Sequence, residues 1–266
     1  MTSRVLITRP LQEAQAWAQQ LSQHGLLCEV LPLIEIAPAG DPHALHAART
    51  SMDLWRAIMF VSANAVAYFF SGSAVTAEAL RLPLAGTACR FWVTGGGTRA
   101  ALLSCGVPAE LVDAPPADTL QFDSEALWNV VKDQVQPAAR VLLVRGADAS
   151  GAPAGRDWLA QQLREAGASV QTVVAYRRLM PVWAETQRVG AAQAASDGAI
   201  WLFSSSEAIA NLHMLMPGQH WGDALALATH PRIAQVARDV GFGHVHVTRP
   251  SLDDVIASIK SMNAPH

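Results

Sequence analysis

A short apolar run, a turn of small or polar residues and a helix-compatible stretch recur along this chain in a fixed order. That recurrence restricts the fold more than any other feature. Val5-Leu-Ile-Thr8 precedes a helical stretch with Trp17 and Leu21 on one face and Gly25 as its stop. Cys28 to Ile36 is apolar again and ends at Pro38. Ala57-Ile-Met-Phe-Val61 leads through Ser62-Ala-Asn64 into a helix running to Phe70. Phe91-Trp-Val-Thr94 leads through Gly95-Gly-Gly-Thr98 into a helix that stops at Gly106. Short continuous apolar strands separated by helices are those of parallel α/β sheets covered on both faces, and they exclude a sandwich.

The second half repeats the first. Val141-Leu-Leu-Val-Arg145-Gly146 matches Val5-Leu-Ile-Thr-Arg9-Pro10, and Leu163 with Gly167 matches Leu21 with Gly25. Phe203-Ser-Ser-Ser-Glu-Ala-Ile209 matches Phe60-Val-Ser-Ala-Asn-Ala-Val66, and Thr229 with its helix to Gly241 matches Thr94 with its helix to Gly106. Ordered matches at nearly constant spacing predict two similar α/β domains. Taken alone, the repeat places one boundary near 125–137. Asp113 to Thr119 reads as an excursion between elements. Ala149-Ser-Gly-Ala-Pro-Ala-Gly155 reads either as a mobile loop or as a long βα connection ending at Arg156.

Composition removes whole classes of function. With 19 Lys+Arg against 22 Asp+Glu, the chain lacks the basic field of a non-specific nucleic-acid binder. With 51% hydrophobic and 15% charged residues, disorder is excluded. Only Lys132 and Lys260 are lysines, so arginine dominates the cations, as a GC-rich genome or a demand for fixed carboxylate-binding forks would give. Cys28, Cys89 and Cys105 are far apart with no CxxC, which suits a reducing compartment and provides neither a disulfide framework nor a zinc site. No signal peptide or membrane-length apolar run is present, so the expected location is the cytoplasm, with no membrane and no nucleic-acid partner.

Individual motifs are weaker. Gly95-Gly-Gly-Thr98 between strand and helix reads as an anion cradle or as a ligand-free turn; it is neither GxGxxG nor a P-loop, and no lysine serves it. Ser204-Ser-Ser206 lacks the GxSxG elbow and is expected to cap a helix, as are Ser62 and Asn64. His43 with His46, and His244 with His246, lack the further ligands of a metal shell and are expected at the surface. Asp253 and Asp254 suit the start of the last helix. Trp17, Trp158 and Trp201 fall in apolar-periodic segments and are expected in the core, while the other five tryptophans show no pattern. Val173-Val-Ala-Tyr176-Arg177-Arg178 places one of two tyrosines after a β-branched run and before two cations. A strand there sends Tyr176 and Arg178 to one face and Arg177 to the other. Such a phenol either covers a sheet edge or donates a proton to a leaving oxygen.

Taken together, these residues resemble the uroporphyrinogen-III synthase family. The resemblance rests on Leu6-Ile-Thr-Arg9-Pro10, Phe60-Val-Ser62-Ala-Asn64-Ala-Val66 and Val93-Thr-Gly-Gly-Gly-Thr98-Arg-Ala. It continues through Val144-Arg145-Gly146, Gly155-Arg156, Ala175-Tyr176-Arg177, Phe203-Ser-Ser-Ser-Glu-Ala-Ile209 and Pro231-Arg-Ile-Ala234. The resemblance implies two doubly wound parallel-sheet domains joined by a two-stranded linker, with a cleft between them. It also implies an interleaved division: 1–35 with 179–266 as one domain, 38–173 as the other, and 33–37 and 174–179 as crossing linker strands.

The implied reaction cyclises hydroxymethylbilane to uroporphyrinogen III, with loss of water and inversion of ring D, in tetrapyrrole biosynthesis. No cofactor or metal is implied. The linear substrate also closes spontaneously to the wrong isomer, so positioning is expected to carry much of the catalysis. By this carry-over Tyr176 assists departure of the hydroxyl. Ser62, Asn64, Thr98, Ser205, Ser206 and Thr229 line the substrate site at helix N-termini, with Arg9, Arg145, Arg156 and Arg232 as further carboxylate partners. Many relatives carry a hydroxyl residue where this chain has Pro231-Arg232-Ile233, and Thr229 lies just upstream. The expected partner is the linear tetrapyrrole polycarboxylate, received by transient hand-over from the preceding enzyme, and the expected state is a monomer. A non-catalytic two-lobed anion binder or sensor is the alternative and does not need Tyr176; a nucleotide-dependent transferase lacks its phosphate motif.

Overall fold

The computed structural model describes residues 3–71, 89–116, 124–153 and 157–263. In chain order the first elements are β1 (Val5–Ile7), α1 (Leu11–Gln23), β2 (Cys28–Val30), β3 (Glu35–Pro38), α2 (Pro42–Thr50), β4 (Ala57–Phe60) and α3 (Ala63–Phe70). Then come β5 (Arg90–Val93), α4 (Gly96–Ser104), β6 (Val112–Asp113), α5 (Ser124–Val131), β7 (Arg140–Ala147), α6 (Trp158–Glu165) and β8 (Ser169–Leu179). The last are α7 (Glu185–Ala194), β9 (Ile200–Phe203), α8 (Ser206–Leu215), β10 (Leu225–Ala228), α9 (Pro231–Asp239), β11 (His244–Val247) and α10 (Leu252–Met262). Helices α1 and α4 end where Gly25 and Gly106 take φ of 79° and 87°, a left-handed turn that costs glycine nothing.

The chain forms two compact units, Met1–Glu35 with Leu179–His266, and Ile36–Arg178. In the first, the strand order is β2-β1-β9-β10-β11 and every pairing is parallel. In the second, β8-β7-β4-β5-β6 pair in parallel, and β3 flanks β8. The two orders are the same. β1 corresponds to β7, β9 to β4 and β10 to β5, which are the pairs that repeat in the sequence. The repeat is therefore real but crossed: the leading strand of each half is built into the sheet holding the other half's later strands. A single cut near 125–137 would separate β4 from its neighbour β7.

The apolar run from Cys28 to Ile36 is not one strand. It yields β2 in the first sheet and β3 in the second. Pro32, with no N–H to give a ladder, lies between them; its carbonyl accepts from Trp183 Nε1 at 3.2 Å.

Both faces of each sheet are covered. In the first unit Val5, Ile7, Ile200, Leu202 and Leu227 pack against Leu21 of α1 and Val255, Ile256 and Ile259 of α10. An aromatic group, Trp201, Phe203, Trp221 and Phe242, is also buried there; Trp221 and Phe242 stack with centroids 5.0 Å apart. In the second unit Ile58, Phe60, Phe91, Val93, Leu142 and Val144 meet Val66 and Phe69 of α3 and Leu102 of α4. Ala57, Met59, Trp92, Val141 and Leu143 meet Leu127 of α5 and Leu159 and Leu163 of α6. Each large apolar side chain so buried contributes about 1.5–3 kcal/mol. Trp201 is core as expected, whereas Trp17 and Trp158 are only partly buried; Trp55, Trp92, Trp183 and Trp221, which showed no pattern, are buried.

After β7 the chain turns on Asp148, whose Oδ1 accepts from Ser150 N, Ser150 Oγ and Ala152 N at 2.6–3.1 Å. These bonds hold the exposed carboxyl below its usual range. Residues 154–156, with Arg156, and the end of the 113–119 excursion lie outside the described residues. Among the described residues no helix is long and apolar enough to cross a membrane.

Candidate active site

In a parallel sheet with this strand order, ligands meet the carboxyl ends of the strands at the switch point, between β1 and β9 in one unit and between β7 and β4 in the other. The described candidate residues lie at or beyond the carboxyl ends of strands in the two sheets, each considered within its own unit.

In the second unit β4 delivers the chain to Ser62, which caps α3 in extended conformation (φ −160°, ψ 161°) and accepts from Ala65 N at 3.1 Å. Asn64 occupies the first turn of α3 and is partly buried. On the next strand, Gly95 caps α4 and Thr98, in its first turn, is buried. Tyr176 reaches Ser62 from β8: its hydroxyl lies 3.1 Å from Ser62 Oγ, and either oxygen can be the donor. The ring is 3% exposed and lies 6.0 Å from the Tyr68 ring, whose own hydroxyl donates to Ile36 O at 3.2 Å.

A β-bulge aims this phenol. Arg145 pairs with Val174, but the next residue of β7, Gly146, pairs with Tyr176, so Ala175 is extra. Strict alternation would set Tyr176 on the face opposite Val173 and Ala175; the bulge resets it. Val173, Ala175 and Tyr176 consequently share one buried cluster with Phe60 and Val66. The predicted split between Tyr176 and Arg177 leaves Arg177 partly exposed, donating from Nε to Pro38 O at 3.4 Å.

Arg145, at the end of β7, is 5% exposed, and its Nη1 donates to Asp157 Oδ1 at 2.6 Å. Asp157 itself is largely exposed.

In the first unit Thr8 follows β1, fully buried and donating to Leu202 O at 2.7 Å. Arg9 follows, with its guanidinium 4.3 Å above the Trp17 ring and 3.4 Å from Glu13. Burial pushes the Arg9 guanidinium below its ordinary range, and Glu13 opposes the shift. Beside it β9 leads to Ser205, the cap of α8, which accepts from Glu207 N at 3.2 Å. The Oγ of Ser206 is buried with no hydrogen-bond partner among the described residues. From β10, Thr229 is buried and its N–H donates to Phe203 O at 3.0 Å.

The cap of α9 is His230, whose Nδ1 accepts from Arg232 N at 3.0 Å, while Arg232 and His230 are both exposed. An Nδ1 that accepts leaves the proton on Nε2. Sequence reasoning passed over His230. The signal was Pro231, which prefers the first helical position and marks the residue before it as the cap.

His43, His46, His244 and His246 are exposed, and among the described residues no group of three or more His, Cys, Asp or Glu side chains can hold a metal ion. Each of the two places offers hydroxyls, helix N-termini and guanidinium groups. Such a set binds anions and moves a proton at oxygen.

Comparison with known proteins points to one family. Residues 15–257 match the family model described as uroporphyrinogen-III synthase HemD. A uroporphyrinogen-III synthase of Chlorobaculum parvum is 28% identical over 185 residues, 70% of this chain and 68% of that protein. Among solved structures, the uroporphyrinogen-III synthetase of Helicobacter pylori aligns over 99% of this chain and 100% of its own, with a TM-score of 0.62 at 12% identity. A mutant uroporphyrinogen III synthase of Thermus thermophilus aligns over 98% of both chains, with a TM-score of 0.55 at 17% identity. At such identities the two structures show a shared fold.

Proposed function

The chain belongs to the uroporphyrinogen-III synthase family, the cyclising lyases that convert hydroxymethylbilane to uroporphyrinogen III, and from that premise we propose that Tyr176 is the acid of the reaction. In the family's scheme the ring-A hydroxymethyl carbon loses its hydroxyl, and the substituted carbon of ring D attacks it. The spiro intermediate then breaks and recloses with ring D inverted. The phenol proton of Tyr176 goes to the departing oxygen as the C–O bond breaks, so that water leaves. The proton released when the pyrrole regains its aromaticity returns to the phenolate.

The observation that carries this reading is the 3.1 Å contact between Tyr176 and Ser62 at the carboxyl end of the second sheet. Each hydroxyl has one proton and two acceptor sites. When Ser62 donates to the phenol oxygen, the phenol proton is free for the substrate. Ser62 then also stabilises the phenolate, as does the positive end of α3.

The substrate's carboxylates are assigned to Ser62, Asn64, Thr98, Ser205, Ser206 and Thr229, because helix N-termini hold anions without dedicated cations. Arg145 is assigned a carboxylate in exchange for that of Asp157, whose side chain is exposed while the guanidinium is buried. Arg232 is an exposed candidate for the same role, Arg9 is already stacked on Trp17, and Arg156 completes the set. The reading also holds that the enzyme acts in the cytoplasm as a monomer and receives its labile substrate by transient hand-over. Hydroxymethylbilane supplied to the protein is expected to give the type III isomer; type I product alone, as in buffer, overturns the assignment.

A further inference from the structure

We propose that Gly146 is a positioning residue: the missing side chain at this point of β7 lets the Tyr176 ring lie across the strand and brings its hydroxyl to Ser62. The kinetic consequence rests on the reading of Tyr176 as the acid; the spatial claim does not.

Gly146 stands opposite Tyr176 across the bulge. A Cβ built on Gly146 would lie 2.5 Å from Tyr176 Cζ, 2.7 Å from Cε2 and 2.9 Å from the hydroxyl oxygen. Carbon atoms in contact sit about 3.5–4.0 Å apart, so an alanine displaces the ring by about 1 Å. The ring has little room to give, being 3% exposed and packed in the cluster with Phe60, Val66 and Ala175. The three heavy atoms nearest that Cβ all belong to the Tyr176 side chain, so the tightest demand for glycine comes from this residue. Three local features then serve one end: the bulge turns Tyr176 to the α3 face, Gly146 clears its path, and Ser62 receives its hydroxyl.

The test is Gly146→Ala, alone and combined with Tyr176→Phe, with kcat and KM measured on hydroxymethylbilane. A misplacement of about 1 Å is expected to lower kcat about a hundredfold, with KM changed less than about twofold. Once the hydroxyl is gone, the same alanine is expected to change kcat less than about twofold. Equal losses in both backgrounds overturn the proposal, because a general structural defect does not depend on the hydroxyl. Thermal melting supplies the spatial arm and serves even where Gly146→Ala folds poorly. Combining it with Tyr176→Val, which removes the ring atoms the Cβ meets, is expected to abolish most of the alanine's cost in Tm. A cost unchanged by removal of the ring also overturns the proposal. Full kcat in Tyr176→Phe, with the thermal coupling intact, would remove the acid role and leave the positioning of the ring supported.

Discussion

Replacing Ser62 by alanine removes two hydrogen bonds whose costs differ. The first is the cap of α3, where Oγ accepts from Ala65 N at 3.1 Å. Losing such a cap costs about 1 kcal/mol. The second is the contact with Tyr176, also 3.1 Å, around a phenol that is 3% exposed. A buried hydroxyl left without its partner costs about 1–3 kcal/mol. Ser62→Ala is therefore expected to destabilise the protein by about 2–4 kcal/mol. In a domain of this size that lowers Tm by roughly 5–15 °C. The two parts separate in a double-mutant cycle with Tyr176→Phe. Without the phenol hydroxyl, Ser62→Ala loses only the cap, and its cost falls to about 1 kcal/mol. Denaturant midpoints of the four proteins, each with its own slope, give the coupling. If Ser62→Ala costs the same in the phenylalanine background as in the wild type, the hydroxyl pair contributes nothing and the reasoning fails.

Two other expectations concern groups away from that contact. His230→Ala removes the cap of α9 and is expected to cost about 0.5–1 kcal/mol, while His230→Ser retains it, so thermal melts that fail to distinguish the two variants contradict the cap. Burial pushes the Cys89 thiol up to about 12, from an ordinary value near 9. The folded thiol keeps its proton at pH values where the unfolded one releases it. Its contribution is therefore complete below about pH 9 and declines as pH rises toward 12. Thermal melts across that window are expected to fall less steeply for Cys89→Ala than for the wild type; parallel curves refute the linkage.

The strands were legible because parallel strands covered on both faces must be continuous apolar runs, as Ala57–Phe60 and Ile200–Phe203 are. The caps at Ser62 and Ser205 were legible because a hydroxyl before a helix has one main use. What the repeat could not reveal was which copy pairs with which. β1 and β7 present similar edges, and their partners β9 and β4 lie far away in the chain. The buried Trp183 and Trp221 lie outside helices and strands, where burial has no periodicity. Glu13 and Trp17 lie one turn apart on α1, and Arg9, just before the helix, stands four and eight residues ahead of them, a spacing that suits the ion pair and the stack. The aim of Tyr176 was illegible for another reason. A bulge is a relation between two strands, so neither Ala175 nor Gly146 announces it alone.

The central claim is that the Tyr176 phenol supplies the proton as the hydroxyl departs. Single-turnover kinetics of Tyr176→Phe on hydroxymethylbilane address it most directly, with folding checked by the melting curve. The chemical rate is expected to fall about a hundredfold or more, with substrate affinity retained and the remaining enzymatic product still type III. An unchanged rate in the folded variant would contradict the acid role of Tyr176.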